Sequence, residues 1–583
     1  MKSIKVLSER IYAKPYSVLS FGVFAIAAYL CLVNLDYVGL WHDEAVVSFV
    51  GKNLLEQGDI VGWDGRNLMG GPNGKSLNED LRDVAPPLQY VLTAVGFAIF
   101  GVNEIGARIL HALVGFLALG FFYLILRQHL PNHPRLQFFL FLFVAWSAQL
   151  LLYFRQSRYY AVTILCMMAG FYFYERYCRT KKPVCLGVVT LISALAFFNH
   201  YACGTAMMLS LAGYHLLFRW RETTVREWVA FGSCGLIIGA LGLVYLVFIG
   251  LIGGDRDSSV AFLTGDYGEY QGTLPLFLLR IWICVRDLFT ADWISWPVFL
   301  WFAGMLFLVL RKRLSGTAKH SRQVRRARHR QSALKEASGE DLPVIAVGKI
   351  VFLGALFALF SALLSVQSVW LRGMTLDLRY YVAALPLLLA MKGLFAEWTW
   401  RKSKIVGVAV VAVLLFTSAG AAPFNIPTVY TGERTLGFHL FQFIREIHRP
   451  YRDSIQVVAD YFLQHTEQDD LIYVPGYYVG REELTFYIGH RIKFCNVLDR
   501  DSLLPSDRVD SLRASLYIGQ CDPDWIVVFG PVQQEYWDRI KAHYDVTAVL
   551  DVYHHTTQRA ELSRHEFEPL PAQGGVHIFR RKG

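Results

Sequence analysis

Residues 86–100 read PPLQYVLTAVGFAIF, and the topology of the whole chain depends on whether this stretch crosses a membrane. It is apolar enough to enter lipid, yet as a helix it would rise only about 22 Å, against a hydrocarbon core of about 30 Å. Working outward from it, apolar runs fit to span lie near 17–35, 105–126, 136–154, 159–175, 184–198, 202–218, 227–251, 294–310, 346–367, 380–397 and 405–422. If 86–100 does not cross, the basic connections at 127–135, 176–182, 219–226, 311–335 and 401–404 all fall on the side of the basic N-terminus with Lys2, Lys5, Arg10 and Lys14. Basic loops mark the cytoplasmic side. If it did cross, the later basic loops would face outward. The stretch is therefore expected to be an interfacial or re-entrant helix inside an outer loop, 36–104.

Eleven spans follow, with the C-terminus outside. The expected fold class is mainly α: a polytopic membrane helical bundle over 1–422, then a small extracytoplasmic α/β domain over 423–583. In that domain, strand-like runs at 471–474, 525–529, 546–552 and 576–579 alternate with helical patterns at 453–465 and 532–543. Composition agrees. The 583 residues are 54% hydrophobic and only 18% charged, against about 25% in a soluble domain. This excludes an ordinary soluble enzyme and a disordered chain. The net charge of +10 arises in segment 311–335, which holds ten basic residues and no acid. Lying between two apolar spans, it reads as a topology-fixing cytoplasmic loop and not as a nucleic-acid site. No cleavable leader is expected, because the first apolar run is long enough to span. Seven of the nine cysteines sit in or beside the spans; Cys495 and Cys521 lie in the polar tail and could pair in an oxidising compartment.

Chemistry concentrates on the outer side. WHDEAVVSFVGKNLLEQG, residues 41–58, places Asp43 and Glu44 at the membrane surface, where acids face a cavity or a partner. Capping of a helix starting at Glu44 would also explain Asp43, and a capping carboxylate can still act as a base. Asn78, Glu79, Asp80, Arg82 and Asp83 form a second acidic cluster, either a solvated loop or a divalent-metal site. Arg108, Arg155, Arg158, Arg372 and Arg379 lie on the face where arginines are scarce. They pair with acids or lipid phosphate, or they bind a substrate phosphate, to which the planar guanidinium donates two hydrogen bonds. His200 and Tyr201, in FFNHYA, sit at the end of a span, where a histidine caps or packs as readily as it binds. No nucleotide-binding G-x-x-x-x-G-K-[ST] and no H-E-x-x-H occurs, which argues against ATP-driven transport and zincin proteolysis. The DRD triplets at 255–257 and 499–501 are too short to carry an assignment.

WHDEAVVSFVGKNLLEQG, then APPLQYVLTAVGFAIFGVNEIGARILHALVGFLALG at 85–120, SRYYA at 157–161 and LDLRYYVAALPLLL at 376–389 together resemble the GT-C superfamily. The resemblance is to its protein O-mannosyltransferase-like and lipid A aminoarabinose transferase-like branch, over about 17–400. It implies an inverting glycosyltransferase that moves a monosaccharide from a polyprenyl-phosphate donor to an acceptor hydroxyl on a glycolipid, cell-envelope glycan or protein. It assigns Asp43 to catalysis and Arg158, Arg379 and Tyr380 to the donor phosphate; Glu44 beside Asp43 and Arg108 on the same face are expected to join them. His42, Asp83, Tyr159, His200 and Tyr201 are expected to line the substrate cavity. No cofactor is required; a divalent metal is an option, with Glu79, Asp80 and Asp83 as candidate ligands. The implied setting is a multi-pass inner (plasma) membrane protein among membrane lipids, without nucleic acid. Val84 and Ala85 stand where relatives often carry a charged residue or histidine before Pro-Pro, so no ligand is carried over to them. The absence of WWDYG argues against oligosaccharide transfer to asparagine. The competing readings are a lipid-linked glycan ligase or polymerase, a lipid or polysaccharide transporter, and a receptor or scaffold. A transporter should show two related halves, and none are visible.

Overall fold

The structure, a computed structural model, describes residues 2–69, 81–83, 85–248, 296–323, 341–364, 378–417, 438–449, 452–474, 480–495, 523–529 and 534–551, and beyond these 553–554, 565, 567, 570–571 and 575–582. Every expected span is met by helix: α1 (Lys2–Leu32), α4 (Glu104–His129), α5 (Pro134–Ala145) with α6 (Ala148–Phe154), α7 (Tyr160–Thr180), α8 (Pro183–Asn199), α9 (Tyr201–Phe218), α10 (Val225–Phe248), α11 (Trp296–Gln323), α12 (Asp341–Leu364), α13 (Leu385–Lys402) and α14 (Lys404–Phe416). By length and hydropathy alone, six described helices qualify as spans, or seven if the α5–α6 pair, bent by 58°, counts as one. The segments at 183–199, 297–311 and 404–416 are shorter. The α5–α6 bend falls where Trp146 ends one helix and Ser147 caps the next by accepting the Leu150 N–H.

The basic connections gather at one end of the bundle. Arg135 and Arg401 both hold Glu397, Arg179 donates to the Gln128 carbonyl, Arg219 pairs with Glu175, and Lys181 pairs with Glu227. Of the long basic loop, 324–340 lies outside the described residues.

At the opposite end, the connection between α1 and α4 holds α2 (His42–Gln57) and α3 (Leu88–Phe100). The helix α3 is the decisive stretch of the sequence, and it lies against both α2 and the start of α4. Gly51 of α2 approaches Thr93, and Gly96 meets Gly106 so closely that a Cβ on Gly96 would stand 2.1 Å from the Gly106 carbonyl oxygen. Glycine is required there by the approach of two backbones.

The turn between α1 and α2 is held by two buried arginines. Arg155 donates to the carbonyls of Leu30, Val33 and Asn34, and Arg108 donates to those of Leu35, Val38 and Gly39. The last carbonyls of a helix lack intrahelical partners and carry partial negative charge, so a guanidinium is well placed there. Tyr37 lies beside both, with its ring 4.8 Å from Arg155 Cζ and 5.7 Å from Arg108 Cζ.

The C-terminal part comprises α15 (His439–His448), α16 (Ser454–His465), β1 (Leu471–Tyr473), α17 (Arg481–Ile488), β2 (Lys493–Phe494), β3 (Trp525–Phe529), α18 (Gln534–His543), β4 (Tyr544–Leu550), β5 (Tyr553–His554), β6 (Leu570–Pro571) and β7 (Val576–Arg581). Five strands form one sheet in the order β2-β1-β3-β7-β4, with β2, β1 and β3 parallel and β7 antiparallel to both β3 and β4. Val458, Phe462, Leu484, Trp525 and Ile578 fill its core. Cys495 is disulfide-bonded. The six described free cysteines are Cys31, Cys166, Cys178, Cys185, Cys203 and Cys234, and Cys521 lies outside the described residues.

This domain is fastened to the connection between α1 and α4. Buried Asn67 donates to the carbonyls of Gly489 and Ile492 and accepts from the Phe494 N–H of β2. Tyr487 accepts from the Leu40 N–H and donates to Glu104, which Gln456 also reaches.

Candidate active site

Three consecutive residues open α2, and each points a different way because successive helical residues are about 100° apart. Trp41 is the N-cap and makes no side-chain cap. The helix thus begins at His42, two residues before the Glu44 start that would make Asp43 its cap. Asp43 lies instead in the first turn, where its side chain is drawn to two guanidiniums.

Asp43 Oδ2 is 3.0 Å from Arg158 Nη2 and 2.8 Å from Arg379 Nη1. Arg158 comes from the short turn between α6 and α7, and Arg379 from the 3-10 turn Leu378–Ala384 that leads into α13. Burial disfavours the Asp43 carboxylate, but Arg158 and Arg379 outweigh that effect and hold its pKa below the usual carboxylate value. The same pairing outweighs the cost of burial for Arg158 and raises its pKa further. All three side chains keep 18–19% of their surface open. Two cations share one anion, so the trio carries a net positive charge. Arg158 Nε and the Tyr159 hydroxyl are buried without a hydrogen-bond partner among the described residues.

Aromatic rings surround the trio. Tyr159 lies against His200 at 4.2 Å, and His200 lies 5.9 Å from Tyr380. His200 also caps α9 by accepting from the Cys203 N–H. Asp83 is buried, and its Oδ1 accepts from the Ala85 N–H at the entry to α3. Tyr90 hydrogen-bonds to Asp83, and Tyr201 lies within electrostatic reach of it.

Glu44 and Arg108 lie where the sequence did not indicate. Glu44 Oε1 accepts from Arg108 Nε at 2.9 Å and from the Ser157 N–H at 3.0 Å, while Oε2 accepts from Arg108 Nη2 at 2.6 Å. Their side chains are 1% and 2% exposed. Counting the three backbone carbonyls, every N–H of Arg108 is engaged, and none is left for a phosphate. Both residues were expected to act on substrate, but in this geometry they brace the site. The pair ties α2 to α4, and the Ser157 contact fixes the residue next to Arg158.

His42 points to the soluble domain. Its Nδ1 lies 3.5 Å from Glu482 Oε2, at the start of α17. Together with Glu483 it forms the only three-residue group of potential metal ligands among the described residues, all within 4.8 Å of one another. Burial opposes the imidazolium, yet Glu482 and Glu483 raise its pKa to about 9; the Glu482 carboxyl, despite burial, is lowered to about 2 by Arg481 and His42. Nothing in the sequence links position 42 to 482. Of the metal ligands proposed from sequence, Glu79 and Asp80 lie outside the described residues, and Asp83 belongs to no such group. Arg372 and Asp377 also lie outside them.

Comparison with known proteins bears on the fold. The apo crystal structure of ArnT from Cupriavidus metallidurans superposes with a TM-score of 0.57 at 13% identity, covering 97% of this chain and 98% of that one. The chain has the GT-C fold. The undecaprenyl-phosphate-bound form of the same ArnT matches this fold at a TM-score of 0.51 and 14% identity, with the same coverage. Residues 84–247 match the model of the dolichyl-phosphate-mannose-protein mannosyltransferase family. This stretch contains α3, Arg108 and Arg158 of the GT-C core. An uncharacterised protein of Aquifex aeolicus is 25% identical over 195 residues, which are 33% of this chain and 36% of that protein; the match thus spans about a third of the relative's length. The GT-C resemblance read from the loop motifs therefore holds for the fold and for the family model.

Proposed function

We propose that the chain is a membrane glycosyltransferase that moves one sugar from a polyprenyl-phosphate donor to an acceptor hydroxyl, with inversion, at the outer face of the membrane. The observation that carries this reading is the single Asp43 oxygen shared by Arg158 and Arg379. A polyprenyl-phosphate sugar is a phosphodiester with one negative charge, which matches the excess positive charge of the trio. As the sugar leaves, the phosphate gains a second charge, and arginines fixed in a partly dry site stabilise it as it develops. Phosphate entry would draw both guanidiniums off Asp43 and make it a better base. Asp43 would then take the proton of the acceptor hydroxyl as its oxygen attacks the anomeric carbon from the face opposite the phosphate. Such general-base assistance contributes about 10²- to 10⁴-fold. The basic loops lie at the other end of the bundle, which supports placing the site and the soluble domain outside the cytoplasm.

The test is a transfer assay on purified protein in nanodiscs, with radiolabelled polyprenyl-phosphate monosaccharides as donors and membrane extract as acceptor. Label transfer that disappears in folded Asp43→Asn supports the assignment. Normal transfer by that variant refutes it. A folded, lipid-binding protein that turns over no sugar in a broad panel points to a glycan ligase or a transporter.

A further inference from the structure

We propose that His42, Glu482 and Glu483 bind a divalent transition-metal ion of the Zn²⁺ class, which ties the first turn of α2 to the start of α17. Imidazole nitrogen and carboxylate oxygen are ordinary zinc ligands. The 3.5 Å between His42 Nδ1 and Glu482 Oε2 is longer than a normal hydrogen bond. It is close to the spacing of about 3.4 Å expected for two ligands each about 2.1 Å from a tetrahedral ion. Both glutamates are nearly buried, at 6% and 4% exposure, so the group is not a solvated acidic face. Placing two adjacent carboxylates away from water is costly unless cations compensate them; Arg481 and His42 stand beside them here, and a metal ion would take the place of the proton that His42 directs at Glu482.

The surroundings also orient the ligands. Arg481 approaches the other oxygen, Oε1, of Glu482 at 3.7 Å, which leaves Oε2 directed at His42. Glu483 Oε2 accepts from the Gly480 N–H at 3.2 Å. Outer partners of this kind hold ligating carboxylates in place. Because the ligands come from two distant parts of the chain, the ion stabilises the docked arrangement in which they meet. Its consequence for chemistry is positional: it fixes the residue preceding Asp43. Only this consequence rests on the transferase reading; the binding site does not.

The experiment uses the untagged full-length protein in nanodiscs, stripped with a chelator and titrated with ZnCl₂ against a chromophoric competitor. One Zn²⁺ per chain is expected. His42→Ala and Glu482→Gln should each weaken it by more than the 10- to 100-fold that loss of an outer partner costs. Co²⁺ added to His42→Cys should give a thiolate-to-metal charge-transfer band absent from the parent protein, which reads contact at residue 42 directly even if the alanine variant folds poorly. Absence of bound Zn²⁺ in the parent protein, unchanged affinity in both variants, or absence of the cobalt–thiolate band overturns the proposal. Zinc retained by Asp43→Asn without sugar transfer, or by a parent protein that transfers no sugar, keeps this site separate from the fate of the transferase reading.

Discussion

Asp43 and Glu44 are neighbours, both acidic, both paired with arginine, yet they occupy opposite kinds of environment. Glu44 and Arg108 form a closed pair at 1% and 2% exposure, with every donor engaged. Asp43 shares one oxygen between two arginines that remain partly open, with Arg158 Nε unused. A charge pair whose hydrogen bonds are all made is a brace. One with donors to spare in a half-open pocket can exchange partners, as a binding site must.

The largest expected effect breaks the open side. Asp43→Asn keeps the shape but removes the base, and transfer should fall by about 10²- to 10⁴-fold, with an unchanged chromatographic profile and thermal midpoint as the check on folding. Arg379→Lys retains charge but loses the two-pronged donor, so transfer should fall by about 10²- to 10³-fold, with weaker donor binding measured in the same nanodiscs. The closed side should respond differently. Glu44→Gln leaves Arg108 buried without its counter-charge and should cost about 3–5 kcal/mol of stability, read by denaturation in detergent; the double variant Glu44→Leu/Arg108→Met should recover part of it. If Glu44→Gln lost transfer at full stability, the brace assignment would fail.

Asn67→Ala is a milder perturbation. It leaves buried backbone groups of 489–494 unpaired and should cost about 1–3 kcal/mol for each, visible as faster amide exchange in that segment. The smallest effect is in pH. The lowered Asp43 pKa means that its contribution to stability is full above the ordinary carboxylate value and is lost only as pH falls through the lower, folded one. Asp43 should therefore give kcat/KM no acidic limb between pH 5 and 8. A limb near pH 6 would assign the base to another group.

Much of this was legible in the sequence. Hydropathy located the helices of the bundle, and the ordered loop motifs named Asp43, Arg158 and Arg379, which meet in one place. The strand-like runs at 471–474, 525–529 and 576–579 are strands. The rotation of α2 was not legible. A D-E pair shows that two acids lie about 100° apart on a helix, but which one faces the bundle depends on where that helix docks. Glu44 and Arg108, which the sequence points toward substrate, have their hydrogen bonds engaged with each other and with backbone groups. The cap was misplaced for a related reason, since paired arginines outcompete backbone N–H groups for a carboxylate. His42 had no local signal, because its partners lie more than 400 residues downstream.

That distance has a consequence for synthesis. Asn67 and the Phe494 N–H are 427 positions apart. At about 5–20 residues per second, the loop that carries Asn67 is made about 20–85 s before the strand that completes it. Through that interval the loop must persist in the membrane with its docking groups unmet. A chain that stops before 480 would be an unfinished assembly, dependent on chaperones and exposed to proteases, and not a smaller working version. The last quarter of the protein is thus the step at which a nascent bundle becomes a completed one.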